Sequence, residues 1–520
     1  MPSKQILWAD DEIDLLKPHI MFLESKGYIV DTVTNGDDAI AKVAEKHYNV
    51  VLLDEMMSGK GGLETLQQIK AFSPQLPVIM ITKSEEESLM EDAIGQKIDD
   101  YLTKPVNPSQ ILMACKKILD SQEIASEKRS RQYAKELQNI SLKLLNPLSE
   151  DDWIKLALSL CKYDVELDSL TEPQFREILY DQRRECNVEF GKFIEKKYKT
   201  WLSDRKISPI LSVDLVKNFL IPELKQQSKI VFLVIDCLRM DQWLTLEPYF
   251  YPYFNITRDY YYSILPTATP FSRNAIFSGL FPEEIEKKYP ELWSTDNEDE
   301  SSLNKYEKEL LEQNFIRNGL NPTGGLKYVK IMNNEDAHNL DKNIHTFLED
   351  NQVVSIVLNF VDILAHSRSD LPILKEIAPN ESAYRSLTKS WFEHSSIYNV
   401  IKAIGKSDHT LFITTDHGSV RGMRGTKVLG DRETSTNLRY KYGRSLKVDK
   451  KNAIYIKNPE EYKLPRRGIN TTYIIAKEDY YFIYPTNYYK FLNYYKDSFQ
   501  HGGTSLEEMI LPFIRLEPKQ

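Results

Sequence analysis

The sequence predicts an α/β multidomain protein in which an all-α helical bundle separates two α/β domains. Short apolar runs alternate with helical patterns in residues 1–122 and again in residues 229–520. This alternation is typical of parallel sheets covered by helices on both faces. Residues 123–228 keep a helical pattern without such runs. Because a chain of 520 residues is too long for a single hydrophobic core, we predict three domains with these boundaries.

The composition is that of an ordinary globular protein, with 41% hydrophobic and 28% charged residues. No apolar run reaches the roughly 18 residues that a membrane span needs, and the N-terminus does not resemble a signal peptide. The four cysteines lack metal or disulfide spacing, which fits a reducing compartment. We therefore expect a cytoplasmic protein without membrane insertion. The net charge of −9 argues against a general nucleic-acid coat.

In the first domain, polar residues end four short apolar runs, which is where open α/β sheets place their ligands. Asp10 and Asp11 follow the first run, and Asp54 ends a later one. Clustered acids of this kind hold a hard divalent cation, usually Mg²⁺. Thr82 and Lys104 end two further runs and would hold phosphoryl oxygens. The pattern predicts an aspartyl phosphoacceptor site.

This order of an acidic pair, an acceptor aspartate, a threonine and a Lys-Pro pair resembles the response-regulator receiver family over about the first 120 residues. The resemblance implies a flavodoxin-like doubly wound sheet, Mg²⁺ bound by the three acids, and phosphorylation of Asp54 by a sensor histidine kinase. It also implies that Tyr101 is a switch aromatic, which turns inward when Thr82 engages the phosphoryl group. In this family the bond corresponding to Lys104–Pro105 is often cis.

The middle of the chain is predicted to be helical throughout. The segment from Pro108 to about Asn146 has little Gly or Pro and keeps an apolar stripe, which predicts one long helix. Helical patterns continue to about Gln227 and predict a small bundle.

In the last domain, Asp and His residues recur at or near the ends of apolar runs. Strands are predicted at Lys229–Asp236, Val353–Asp362, Thr410–Asp416 and Asn452–Ile456. The candidate metal ligands are Asp236, Asp362, His366, Asp416, His417 and His501. Three Asp and three His suit two borderline divalent ions, most simply Zn²⁺, with Mn²⁺ left open. Two such ions about 3.5–4 Å apart can stabilise the attacking and leaving oxygens of a phosphoryl displacement.

A hydroxyl residue precedes a helix-like stretch between the first two of these strands. Thr269 is the candidate nucleophile, and Thr267 is the alternative. A helix N-terminus suits a phosphoryl anion. Arg273 and Asn274 would contact phosphoryl oxygens or lie at the surface.

This segment resembles the alkaline phosphatase superfamily, and in particular its PglZ branch, through VIDCLRMDQW, PTAT and FSGLFP. The resemblance covers roughly residues 229–520 and implies that Thr269 is the nucleophile. It implies two sets of zinc ligands: Asp362, His366 and His501 for one ion, and Asp236, Asp416 and His417 for the other. Arg239 and Asp241 are interpreted as a structural ion pair of this branch. A threonine nucleophile argues against the sulfatases, which need a Cys or Ser that can be oxidised to an aldehyde.

Basic residues crowd the stretch after Asp416 and His417. They are Arg421, Arg424, Lys427, Arg432, Arg439, Lys441, Arg444 and Lys447. Tyr440 and Tyr442 are interleaved, and aromatic rings can stack on bases. One hypothesis is a patch, including Arg421 and Arg424, that binds an extended anionic substrate such as an oligonucleotide. The other is a solvated loop.

Together the three segments resemble the PorX group of response regulators, which is implicated in control of the type IX secretion system. This resemblance implies a PorY-type kinase and contact with a sigma factor or a secretion component. We expect a zinc-dependent phosphodiesterase acting on oligonucleotide or cyclic-nucleotide phosphodiesters, with phosphorylation of Asp54 promoting a homodimer. The alternative is a non-enzymatic scaffold whose zinc-stabilised domain binds protein partners.

Overall fold

The structure is a computed structural model that describes residues 4–83, 98–168, 173–293, 304–321, 325–370, 372–431, 435, 437–466, 468 and 470–519. The chain forms two compact units, Met1–Gln138 and Asn139–Gln520. The helices after residue 139 therefore belong to the same unit as the last domain, where the sequence suggested a separate bundle. Among the described residues, no helix is both long enough and apolar enough to cross a membrane.

The described part of the first unit contains a five-stranded parallel sheet with strand order β2-β1-β3-β4-β5, the doubly wound order of the receiver prediction. The strands are β1 (Gln5–Ala9), β2 (Ile29–Val33), β3 (Val50–Asp54), β4 (Val78–Thr82) and β5 (Asp100–Thr103). The helices are α1 (Lys17–Ser25), α2 (Gly36–Glu45), α3 (Gly62–Phe72) and α4 (Pro108–Leu144), the last of which continues into the second unit.

Burial on both faces explains why the strands of this sheet are continuous apolar runs. Every residue of β3 and β4 is buried, and two hydrophobic cores lie on opposite faces of the sheet. Parallel pairing then brings Asp10, Asp54 and Thr82 to one edge. Gly62 lets α3 begin close to this edge, since a Cβ atom there would lie 2.4 Å from the carbonyl oxygen of Asp54.

A six-stranded sheet lies at the centre of the second unit, with strand order β7-β19-β10-β6-β9-β8 among the described residues. Strands β10, β6, β9 and β8 pair in parallel, and β19 pairs antiparallel with both of its neighbours, β10 and β7. These strands are β6 (Lys229–Ile235), β7 (Phe254–Tyr262), β8 (Leu326–Ile331), β9 (Val353–Leu358), β10 (His409–Thr414) and β19 (Ile510–Pro518). The carboxyl ends of β6, β9 and β10 meet at one edge, where the candidate ligands follow.

Helices cover this sheet and precede it in the chain. They are α5 (Glu150–Leu167), α6 (Pro173–Ser203), α7 (Ile221–Lys225), α8 (Met240–Leu246), α9 (Thr269–Ser278), α10 (Pro282–Lys288), α11 (Glu307–Arg317), α12 (Asn334–Asp350), α13 (Phe360–Asp370), α14 (Pro372–Ile377), α15 (Glu381–His394), α16 (Ser396–Ile404), α17 (Tyr488–Tyr495) and α18 (Leu506–Met509). The start of α5 is fixed by a capping box in which Ser149 and Asp152 satisfy each other's backbone N–H groups.

The second unit also contains smaller sheets, and its strands differ from the predicted ones in two places. They use β11 (Val420–Gly422), β12 (Arg424–Leu429), β13 (Tyr440–Gly443), β14 (Lys447–Val448), β15 (Ala453–Ile456), β16 (Thr472–Ala476), β17 (Tyr480–Ile483) and β18 (Ser498–Gln500). The predicted strand near Ile454 is therefore present as β15, but it pairs with β16 outside the central sheet. The strand predicted to reach Asp362 ends at Leu358, because Phe360 and Val361 already belong to α13, which packs on the core.

A buried ion network joins helices α5 and α6 to the rest of the second unit. Arg385 donates to Asp168 at 2.7 and 2.8 Å and to Asp241 at 2.7 Å. Arg239 forms two hydrogen bonds with Asp241, of 2.9 and 2.6 Å, as the sequence suggested for this pair. Arg183 of α6 donates to Asp164 at 2.6 Å. This network is the physical reason why the middle helices and the last domain form one unit.

Candidate functional site

The first unit carries a pocket of three acids and one lysine at the edge of its sheet. Candidate ligand atoms of Asp10, Asp11 and Asp54 lie within 4.8 Å of one another. Nζ of Lys104 lies 2.9 Å from Asp54 and 3.1 Å from Asp10. Burial, with the neighbouring acids, raises the pKa of Asp54 although Lys104 opposes this effect. The arrangement is that of a phosphoacceptor beside a candidate Mg²⁺ site.

Of the two predicted switch residues in this structure, Thr82 contacts Glu55 and Tyr101 is exposed. The Thr82 hydroxyl donates a hydrogen bond to the carboxylate of Glu55, a contact that the sequence did not suggest. The Tyr101 side chain is 41% exposed, so it is turned outward. The Lys104–Pro105 bond is cis, as the family resemblance implied.

In the second unit, Asp362, His366 and His501 converge beside the edge of the central sheet. Their candidate ligand atoms lie within 4.8 Å of one another. Asp362 and His366 are one turn apart on α13, and Oδ1 of Asp362 lies 3.4 Å from Nε2 of His366. The same oxygen lies 3.6 Å from Nε2 of His501. His366 is exposed, so this group opens to solvent.

A second group, fully buried, consists of Asp236, Asp416 and His417, and its candidate ligand atoms also lie within 4.8 Å of one another. Oδ1 of Asp416 accepts backbone N–H groups from Cys237 and His417 at 3.3 and 3.1 Å. Its Oδ2 is buried and has no hydrogen-bond partner among the described residues, which is costly unless a cation is bound. Burial, with the neighbouring Asp416, raises the pKa of Asp236 to about 8.

The His417 ring is held in one tautomer by its own loop. Nδ1 lies 3.1 Å from the carbonyl oxygen of Gly418, which can only accept, so Nδ1 carries the proton. Nε2 is then an acceptor, and the Thr269 hydroxyl lies 2.9 Å from it. Gly418 is required here because a Cβ atom would lie 1.9 Å from the carbonyl oxygen of Glu507. The His417 ring also stacks on the His501 ring at 4.1 Å, which links the two groups.

The two candidate hydroxyls have different surroundings. Thr269 begins α9, and its hydroxyl lies 3.4 Å from Oδ1 of Asp236. The hydroxyl of Thr267 instead donates to the carbonyl oxygen of Gly503 at 2.8 Å and accepts the N–H of Gly502 at 3.1 Å. Thr267 therefore fastens the loop that carries His501, and Thr269 is the hydroxyl that faces the acids.

The donor sets fit divalent metal ions. Each group offers imidazole nitrogens and carboxylate oxygens, which are the ligands of Zn²⁺ and similar borderline cations. The buried group contains Oδ2 of Asp416, which has no hydrogen-bond partner among the described residues, and Nε2 of His417, which faces the Thr269 hydroxyl. Two metal positions beside one hydroxyl at a helix N-terminus suit the displacement of a phosphoryl group.

Arg273 and Asn274 lie in the core, so the suggestion of a surface role is wrong. The Arg273 guanidinium donates to Asp236 at 2.6 Å and to Glu307 at 2.5 Å. Asn274 donates to the carbonyl oxygen of Pro270 at 3.0 Å. Both side chains are only 1% exposed and are occupied by protein partners, which argues against direct contact with substrate. Glu307 was not predicted, since its charged helix follows an acidic stretch and resembles a solvated surface.

Part of the basic cluster is paired with acids within the chain, which reduces the charge available to an oligonucleotide, whereas Lys427, Arg444 and Lys447 are exposed. Arg421 pairs with Asp497, and Arg424 pairs with Glu478 and Asp479. Three other members are also engaged or lie outside the described residues. Arg439 is buried against Glu508, Lys441 is buried, and Arg432 lies outside the described residues. These ion pairs join residues that are far apart in the sequence, so the spacing of the basic residues could not reveal them.

Three family models match the chain in sequence order. Residues 6–116 match the response regulator receiver domain, residues 123–202 match the PorX response regulator linker domain, and residues 215–516 match the BREX system PglZ alkaline phosphatase-like domain. The α/β, helical and α/β order of the predicted fold class is thereby confirmed.

Two curated relatives each match less than a quarter of the chain. The transcriptional regulatory protein ResD of Bacillus subtilis is 37% identical over 115 residues, which are 22% of this chain and 48% of ResD. The alkaline phosphatase synthesis transcriptional regulatory protein PhoP of the same organism is 32% identical over 126 residues, which are 24% of this chain and 52% of PhoP. The chain thus spans about half the length of these relatives.

A solved CheY-like receiver domain protein from Methanospirillum hungatei is 30% identical, covers 24% of this chain and 98% of that one, and has a TM-score of 0.23. The receiver assignment rests on the strand order and the family model. Because the PglZ model covers more than half of the chain and follows a receiver and a PorX linker, the protein belongs to the PglZ alkaline phosphatase-like family and is a PorX-type response regulator.

Proposed function

We propose that the second unit is a metal-dependent phosphodiesterase and that Thr269 is its nucleophile. The observation that carries the proposal is the position of the Thr269 hydroxyl, 2.9 Å from Nε2 of His417 and 3.4 Å from Asp236 at the start of α9. Membership of an alkaline phosphatase-like family supports a phosphoester substrate. The natural diester is left open, since Arg421 and Arg424 are already paired with acids.

The chemistry would proceed in two displacements. Oγ1 of Thr269 attacks phosphorus, the bond to the first alcohol breaks, and that alcohol leaves with a proton. Water then attacks the threonine phosphodiester, which still carries the second alcohol, the bond between phosphorus and Oγ1 breaks, and the monoester of that alcohol is released with the hydroxyl restored. The N-terminus of α9 favours the phosphoryl anion. Ions held by the two ligand groups would supply Lewis acidity at the phosphoryl oxygens.

Hydrolysis of bis(p-nitrophenyl) phosphate tests this proposal. We expect the purified chain to contain about two equivalents of zinc, to hydrolyse the diester, and to lose this activity after chelation. Asp416→Asn should lose one metal equivalent and the activity together, since Asp416 contributes the unpartnered buried oxygen. The matched control is His394→Gln, which changes an exposed histidine on α15. A protein loaded with metal but inert towards diesters would instead favour the scaffold.

For the first unit we propose phosphorylation of Asp54, with Mg²⁺ held by the three acids. A receiver domain implies a cognate sensor kinase. The PorX linker match supports, at the level of the group, a PorY-type kinase, a sigma factor or secretion component as partner, control of type IX secretion, and a phosphorylation-dependent homodimer.

The hydrogen bond between Thr82 and Glu55 is expected to slow the phosphorylation of Asp54. Thr82 must leave Glu55 before it can engage a phosphoryl group on Asp54. We therefore expect Glu55→Ala to speed phosphorylation by acetyl phosphate by roughly three- to tenfold, the equivalent of one hydrogen bond of about 1 kcal/mol. Phosphate-affinity gels measure the rate, and Glu64→Ala on the exposed side of α3 is the control. Equal rates for the two variants would contradict this role of Glu55.

A further inference from the structure

Arg273 lies between two acids in the core of the second unit, directly behind the candidate nucleophile. One nitrogen, Nη1, donates to Oδ2 of Asp236 at 2.6 Å, and another, Nε, donates to Oε1 of Glu307 at 2.5 Å. The guanidinium is planar and rigid, so these two bonds fix its orientation. Its side chain is 2% exposed, and it cannot reach a substrate without leaving both acids.

The bond to Arg273 decides which oxygen of Asp236 faces the metal group. Oδ2 is taken by the guanidinium, whereas Oδ1 lies 3.4 Å from the Thr269 hydroxyl and 3.6 Å from Nε2 of His417. A carboxylate held at one oxygen presents the other in a single direction. Nη1 also lies 3.8 Å from Oδ2 of Asp416, so the same cation adjoins both acids of the buried group.

Glu307 holds Arg273 in this position. Its carboxylate is 1% exposed, and besides Arg273 it accepts a hydrogen bond from the hydroxyl of Tyr328 and lies 3.3 Å from Nζ of Lys330. Burying an acid so completely requires such partners. Glu307 partly offsets the positive charge that Arg273 places beside Asp236 and Asp416.

Asn304, three residues before Glu307, contacts the backbone of the candidate nucleophile Thr269. Nδ2 of Asn304 lies 3.2 Å from the carbonyl oxygen of Thr269 and 3.1 Å from Oδ1 of Asn274, and Lys330 donates to the carbonyl oxygen of Asn304 at 3.1 Å. Residues 304–307 therefore contact both the first turn of α9 and, through Arg273, the ligand Asp236.

We propose that Arg273 and Glu307 are positioning residues that orient Asp236 and thereby set the affinity of the buried metal site. The pair acts through Asp236 and does not bind substrate. The effect on metal affinity stands independently of hydrolysis, whereas the effect on kcat rests on the proposed function.

Zinc titration of the metal-free chain, in competition with a chromophoric chelator, tests this inference. We expect Glu307→Gln to weaken one of the two zinc equivalents by about 10- to 100-fold and to leave the other unchanged. Arg273→Gln should have a similar effect, and Arg273→Lys should restore part of the affinity because it keeps the charge but loses the planar geometry. Glu283→Gln is the matched control, since Glu283 is also a buried acid but pairs with the exposed Lys287.

Kinetics on bis(p-nitrophenyl) phosphate separate this role from substrate binding. A positioning role predicts a lower kcat with KM nearly unchanged, whereas a substrate contact predicts a raised KM with both zinc affinities intact. Unchanged zinc affinities in Glu307→Gln would overturn the inference, as would that second kinetic pattern in Arg273→Lys. If Glu307→Gln fails to fold, Tyr328→Phe removes one donor to the same carboxylate and should weaken the same equivalent several-fold. An inert wild type whose variants still lose one zinc equivalent would reject the hydrolase and support the positioning pair.

Discussion

Thr269→Ala is expected to lower kcat for diester hydrolysis by at least about 10³-fold, because the variant lacks the attacking oxygen. Zinc content should remain at the wild-type value, since no carboxylate or imidazole is removed. Thr269→Ser keeps a hydroxyl and should retain measurable activity. With a slow diester, mass spectrometry should detect a phosphoryl adduct on the wild-type peptide that contains Thr269, and none on the alanine variant.

Thr267→Val is the matched comparison for this experiment. Thr267 is two residues away and is also buried, but its hydroxyl forms hydrogen bonds with the backbone of Gly502 and Gly503. We expect Thr267→Val to lower the zinc affinity of the site that includes His501, and to lower kcat of the zinc-loaded protein much less than Thr269→Ala does. Full turnover in Thr269→Ala, or an adduct that maps to Thr267, would show that the nucleophile has been assigned to the wrong hydroxyl.

Asp241→Asn is expected to lower the free energy of unfolding of the second unit by about 3–5 kcal/mol, which is typical of breaking a buried ion pair. Asp241 is 1% exposed and accepts hydrogen bonds from both Arg239 and Arg385. The amide would leave both guanidinium groups buried without their shared carboxylate. Urea unfolding followed by tryptophan fluorescence measures the change.

The pH dependence of this difference has a definite sign. Burial alone would raise the pKa of Asp241, but Arg239 and Arg385 hold the pKa well below its ordinary value. The stabilisation is therefore complete above about pH 4, the ordinary pKa of an aspartate, and is lost as the pH falls below it. The difference in the free energy of unfolding between wild type and Asp241→Asn should therefore become smaller as the pH falls below about 4. Glu189→Gln, which breaks an exposed pair with Lys192, should change stability by less than about 1 kcal/mol. A similar loss in both variants would contradict the importance of burial.

Strand positions and the clustering of the candidate ligands were largely predictable, for a common physical reason. Strands such as β3 and β6 are buried on both faces, so their sequences are continuous apolar runs with clear ends. In parallel sheets those ends meet at one edge, so Asp54 and Asp236 could be placed from the pattern alone. The antiparallel strand β19 was missed because Pro512 and Pro518 within it argue against a strand.

Pairing between distant residues was not predictable from the pattern. Arg421 and Arg424 look like a basic surface in sequence, but their acidic partners lie about 50 to 80 residues later. Glu307 looks like part of a solvated helix, yet it is buried against Arg273. Such contacts depend on how loops fold back onto the sheet, which spacing along the chain does not encode.

The ion network around Asp241 and Arg385 also determines where the chain can be divided. A fragment that begins at residue 215, where the PglZ match begins, would lack Asp164, Asp168 and Arg183. Arg385 would then lose both of its hydrogen bonds to Asp168 and expose a charged face built to be covered. A fragment that begins near residue 139 keeps all of these pairs. Exchange of receivers between relatives, in the laboratory or in evolution, should therefore join the chains upstream of α5 and α6, so that these helices stay with the PglZ-like domain that they contact.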